Sequence, residues 1–118
     1  MGKFKKTICF DIDNVICTTK RNKYLQSKPN HVAIKKINDL YLKGYEIKLF
    51  TARFMGRSND NVANAKKLGF KLTTVQLKKW KVKYHKLIMG KPSYDLFIDD
   101  LSIYFKKNWY KDIDKYLL

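Results

Sequence analysis

The chain has 118 residues, is 45% hydrophobic and 14% aromatic, and carries a formal net charge of +16 at pH 7. That length supports one modest core and not two, and the apolar content excludes a disordered chain. No apolar run approaches the ~20 residues of a bilayer-spanning helix.

Of the 26 basic residues, only Arg21, Arg53 and Arg57 are arginine. Planar phosphate and base recognition favours arginine, and the lysines are scattered along the chain rather than gathered in one block. The charge therefore reads as AT-rich codon usage with a solvated basic face, still compatible with an anionic substrate. Cys9 and Cys17 are too few for a disulfide scaffold or a zinc cage. The start, MGKFKKTICFD, resembles a secretory signal until Asp11 ends its apolar stretch; a cytoplasmic location is expected.

In chain order, Thr7 to Asp11 is a short strand-type run that ends at two aspartates one residue apart. Residues 14–29 read as a polar loop closed by Pro29. A helix is expected from an Asn30 cap to Gly44, with Ile34, Ile37, Leu40 and Tyr41 on one face. Tyr45 to Thr51 is a second strand, and 52–59 a loop. The next helix is expected to begin near Ser58 or Asn59 and end at Gly69, with Val62, Ala65 and Leu68 inward. Thr73 with Gln76 three residues on has the form of a capping box, predicting a further helix bearing Leu77, Trp80 and Tyr84. KLIMG is a third strand, YDLFIDD a fourth, and the tail from Asn108 has helical spacing. Alternating strands and helices predict a single α/β domain over 1–118 with a mainly parallel sheet. The five residues between the last two strands are short for a helical crossover.

Ligands of open α/β sheets sit beyond the carboxyl ends of the strands. Those ends carry Asp11 and Asp13, then Thr51, then Lys91, then Asp99 and Asp100. Alternation puts Asp11 and Asp13 on one side of the backbone, with Ile12 turned away. Carboxylates that converge on one edge call for a hard cation, and Mg²⁺ suits them because it takes carboxylates, waters and phosphate oxygens. The Thr51 hydroxyl with the N–H groups of Ala52 and Arg53 would hold phosphate oxygens, and Lys91 adds a point charge. One carboxylate would act as nucleophile and its neighbour as proton carrier.

FDIDNV, LFTAR, Lys91 in GKPSYD, and FIDD, in that order, resemble the four motifs of the haloacid dehalogenase superfamily of phosphohydrolases. The resemblance runs from about Thr7 to Asp100. It implies a Rossmann-like three-layer α/β/α sandwich without a cap domain, since only about fifteen residues follow Asn14 before Asn30. It further implies Asp11 as nucleophile, Asp13 as general acid/base, and Thr51 and Lys91 as phosphoryl-binding groups. Mg²⁺ would be held by Asp11, the carbonyl of Asp13 and the Asp99/Asp100 pair. Asn14 and Val15 stand where Gly-Thr often follows the aspartates.

A narrower similarity, from TAR through LKKWKVKYHKLIMGKPSYDLFIDD, is to small phosphatases of capsule and surface-polysaccharide synthesis, with His85 where an Asp is usual. It implies a phosphorylated sugar or polysaccharide precursor as substrate, and the capless site would accept bulky substrates or borrow a neighbouring subunit to cover it. The alternatives are a nucleotide or nucleic-acid-end phosphatase and a noncatalytic basic nucleic-acid-binding module. Arg53 and Arg57 are candidates to grip a second part of the substrate, with a solvated loop the plainer role for Arg57. His31, His85, Trp80 and Trp109 read as structural, and Cys9 lacks a histidine to activate it.

Overall fold

The computed structural model describes residues 3–117. Met1, Gly2 and Leu118, the ends of the expected domain, lie outside the described residues. Three strands, β1 (Thr7–Phe10), β4 (Glu46–Thr51) and β5 (Lys86–Met89), form a parallel sheet in the order β1-β4-β5. Between β1 and β4 lie β2 (Cys17–Thr18) and β3 (Lys28–Pro29), a small antiparallel ribbon inside the stretch expected to be loop, followed by helix α1 (His31–Leu42). Helix α2 (Val62–Lys79) crosses from β4 to β5. No helix among the described residues is long and apolar enough to cross a membrane.

The register explains which sheet face is covered. Ile8, Ile47 and then Phe10, Leu49 and Leu87 pair across the strands and point to one side. There they join Ile34, Ile37 and Leu40 of α1 and Leu77 of α2 in one core. The opposite side carries Cys9, Lys48 and Lys86 in register; Cys9 and Lys86 are exposed. Burying the first set while the second stays wet fixes the register, since a one-residue slip would exchange them.

Helix α1 begins and ends as its sequence dictates. Asn30 caps it by accepting from the Ala33 N–H at 3.1 Å. Just beyond its end, Gly44 takes φ +101°, which a side chain would disfavour.

The helix expected to stop at Gly69 instead runs unbroken for 18 residues. Gly69 is there for closeness, not for a turn. A Cβ on it would collide with Phe54 Cδ2, stand 2.7 Å from Phe54 Cε2 and 3.2 Å from Met89 Cε. The apparent capping box dissolves likewise, because Thr73 and Gln76 share a helix face and both accept from Arg53. Gly69→Ala should lower stability by about 1–3 kcal/mol from overpacking, despite alanine's better helix propensity. Urea unfolding checks this, and an unchanged midpoint would refute the packing account.

Two further expectations fail. The YDLFIDD segment is not a strand: residues 91–108 have no regular structure, and Leu96, Ile98 and Leu101 are largely exposed. The tail helix is two short 3₁₀ turns, Trp109–Lys111 and Ile113–Tyr116. They are held by burial of Trp109 and Ile113 and by the indole N–H donating to the Val15 carbonyl at 3.1 Å.

Candidate active site

The inward-outward alternation of β1 continues past its last residue. Ile12 is wholly buried, while Asp11 and Asp13 are half-buried on the other side. The chain then turns sharply, with the N–H groups of Val15 and Ile16 both donating to the Ile12 carbonyl. Asn14 sits at φ +65°, a left-handed conformation asparagine tolerates, and its Oδ1 accepts from the Thr19 N–H at 3.2 Å.

Asp11 meets Lys91. The Lys91 Nζ lies 3.2 Å from Asp11 Oδ2, and Asp11 Oδ1 accepts from the Ile12 N–H at 2.7 Å. Lys91 arrives there because its own N–H donates to the Thr51 carbonyl at 3.1 Å, continuing the ladder between β4 and β5. It is nearly buried, with Nζ 5.3 Å and 5.1 Å from the ring centroids of Tyr94 and Phe97. Burial pushes the Asp11 carboxyl up more than Lys91 and the Ile12 N–H pull it down. Burial lowers Lys91, but hydrogen bonding to Tyr94 and the charge of Asp11 outweigh it and leave the ammonium above its ordinary value. Lys91 gains from Tyr94 as a second partner, whereas burial dominates at Asp11.

Asp13 meets Arg53. The guanidinium brings Nη2 to 2.9 Å from Oδ1 and Nε to 3.0 Å from Oδ2, a forked pair. Oδ1 also accepts from the Thr19 hydroxyl at 2.6 Å, leaving Oδ2 the less engaged oxygen. The Arg53 side chain is 0% exposed. Its Nη1 donates to Gln76 Oε1 at 2.6 Å and Thr73 Oγ1 at 3.4 Å, and it lies 5.0 Å from the Tyr24 ring centroid.

Thus the structure gathers Asp11, Asp13, Thr51, Arg53 and Lys91 around the ends of β1, β4 and β5. Thr51 is buried, and its hydroxyl accepts from the Arg53 N–H at 3.1 Å, so that N–H is turned inward. Arg53, a candidate substrate grip in the sequence, is buried beneath Asp13 and positions it. The i, i+3 spacing of Thr73 and Gln76 on one helix face was open to sequence reading, but their distant partner Arg53 was not. Asp99 and Asp100 are not brought into a cluster. Both are exposed, and the Leu101 N–H holds the Asp99 carboxyl below its ordinary value.

Asp11 and Asp13 offer oxygen donors, as Mg²⁺ prefers. Yet no three His, Cys, Asp or Glu among the described residues form a metal-holding group. The acidic pair on the irregular segment makes no such group with Asp11 and Asp13.

No protein-family model matches the chain, and no curated protein matches it. Solved structures do. A crystal structure of a target from Vibrio cholerae superposes with a TM-score of 0.82 at 22% identity, covering 95% of this chain and 96% of that one. A chain of a Pnkp1/Rnl/Hen1 complex matches with a TM-score of 0.56 at 18% identity over 75% of this chain. A chain of the Pnkp1/Rnl/Hen1 RNA repair complex matches with a TM-score of 0.50 at 17% identity over 92%. This chain spans 29% and 30% of the lengths of those two. At these identities the likeness defines the class of fold, an α/β domain on a mainly parallel sheet, and nothing narrower.

Proposed function

We propose that the chain is a phosphomonoesterase of the haloacid dehalogenase type, in which Asp11 attacks phosphorus. The observation that supports this best is the pairing at the sheet edge: Asp11 on Lys91, with Asp13 beside it fixed by a buried arginine. On this reading an Asp11 oxygen forms the aspartyl-phosphate bond as the ester oxygen leaves, and Asp13 gives that oxygen a proton through Oδ2, then takes one from attacking water. Lys91 holds the phosphoryl oxygens, and the buried Thr51 positions it through its carbonyl. Mg²⁺, held by Asp11 and the Asp13 carbonyl with Asp99 or Asp100 as a further oxygen, would neutralise charge on the phosphoryl group. The open side of the sheet is where the third layer of that fold would pack, and the short ribbon over 17–29 stands in place of a cap domain. The proposed substrate is a phosphorylated sugar or polysaccharide precursor, and the proposed location cytoplasmic.

The test is hydrolysis of an aryl phosphate and a sugar-phosphate panel with Mg²⁺ and with chelator. Turnover that requires Mg²⁺ supports the reading, and none on any phosphomonoester rejects it. A mobility shift of RNA or DNA by a preparation without turnover would favour the binding module instead.

The acidic pair gives a separate prediction. Asp99→Asn with Asp100→Asn should leave the melting temperature in chelator unchanged, since both side chains are exposed. It should raise the Mg²⁺ concentration needed for half-maximal turnover. An unshifted Mg²⁺ titration would remove these residues from the metal site.

A further inference from the structure

Composition would scatter three arginines among so many lysines without pattern, yet all three meet on one side of this molecule. Arg21 and Arg57 line an open cleft of ≈ 370 Å³ together with Asn22, Lys23, Tyr24, Leu25 and Gln26. Arg53 lies directly beneath, with its guanidinium over the Tyr24 ring. No acidic residue lines the cleft. Its three cationic side chains are exposed, while Tyr24 is buried as its floor.

The cleft is built rather than incidental. Consecutive left-handed residues, Arg21 at φ +52° and Asn22 at φ +57°, turn the loop back toward the segment after β4. Arg57 is pinned there, its Nη2 donating to the Asn22 carbonyl at 3.2 Å and its guanidinium 4.6 Å from the Phe54 ring centroid. The Tyr24 hydroxyl accepts from the Phe54 N–H, and Gln76 Nε2 donates to the Tyr24 carbonyl. Holding exposed arginines in place removes part of the ordering cost of binding an anion.

The same loop reaches the reaction site. Thr19, just before Arg21, donates to Asp13 Oδ1, and Ser27, just after Gln26, bonds Thr19 at 2.6 Å. One short segment therefore holds the proposed acid/base at one end and lines the cationic cleft with its middle.

We propose that this cleft binds a second phosphate of the substrate, so that the preferred substrate carries two phosphate groups. The inference rests on the phosphatase reading for its catalytic consequence, but binding at the cleft is measurable without turnover. A sugar bisphosphate and a nucleotide with a second phosphate offer the same chemistry, and the test separates them.

Titration calorimetry in chelator would compare glucose 1,6-bisphosphate with glucose 6-phosphate, and adenosine 3′,5′-bisphosphate with adenosine 3′-phosphate. The wild type should bind at least one bisphosphate about tenfold more tightly than its monophosphate, as an extra charge-assisted contact warrants. Arg57→Gln should erase most of that ratio. Lys23→Glu, on an exposed loop position, should erase it too and guards against a folding defect at Arg57. With turnover present, the bisphosphate-to-monophosphate ratio of kcat/KM should fall in parallel. Which pair shows the preference identifies the source of the second phosphate. Equal binding of both members in both pairs, or a preference untouched by either variant, overturns the proposal even if monophosphates are hydrolysed. Absent turnover with the binding ratio intact would reject the phosphatase reading and leave the cleft as an anion site.

Discussion

Asp11→Asn should abolish phosphomonoester turnover, lowering kcat by at least about 10⁴-fold, the scale on which removing a member of a concerted catalytic unit acts. Asparagine keeps the shape of the side chain and an oxygen for the Ile12 N–H, but its amide cannot form the acyl-phosphate bond. Stability should move differently. Burial holds the Asp11 carboxyl above its ordinary value of 3.8, so over the window just above that value the folded chain keeps a proton the unfolded chain has released. Fewer protons bound in the unfolded state mean that stability falls as pH rises through the window. In chelator, the wild type should therefore lose stability relative to Asp11→Asn as pH rises from the ordinary carboxyl value of 3.8. Urea unfolding at several pH values measures the difference. Residual turnover near wild type would end Asp11's role as nucleophile; a flat stability difference would end only the burial argument.

The contrast between function and stability at Asp11 has a counterpart in what the sequence disclosed. Elements whose identity rests on local chemistry were legible. Asn30 is visible as a cap, Gly44 as a terminator, and the apolar alternation of β4 as a half-covered strand. What misled was residues whose role is set by distant partners. Gly69 looks like a helix end until Phe54 is known to lie against it. Thr73 and Gln76 look like a cap until Arg53 is found between them. YDLFIDD has the composition of a strand, but its apolar side chains remain exposed, and composition alone cannot supply a neighbour. Five of the candidate site residues converge because strand ends of a parallel sheet share an edge; Asp99 and Asp100 do not join them because their segment pairs with nothing in the sheet.

Arg53 is where these threads meet, and its removal should be the most damaging single change to the fold. Arg53→Met would leave Asp13 without its cation and would strand the Gln76 and Thr73 oxygens, at a cost of about 3–5 kcal/mol, as for breaking a buried pair from one side. For a chain of this size that corresponds to a melting-temperature drop of roughly 10–20 °C. Arg53→Lys should recover little, because an ammonium cannot reach Asp13 Oδ1, Asp13 Oδ2 and Gln76 together as the planar fork does. The double variant Arg53→Met with Asp13→Asn isolates the pair. If the loss comes from an uncompensated carboxylate, the double variant should melt above Arg53→Met alone, a non-additivity of about 1 kcal/mol or more. If the two changes simply add, the guanidinium stabilises the fold through Gln76, Thr73 and the Tyr24 ring, and Asp13 is a bystander to it. Turnover discriminates in the same samples: a positioning role predicts that conditions keeping Arg53→Lys folded still show a lowered kcat with KM little changed, since Arg53 faces Asp13 from below and the substrate not at all.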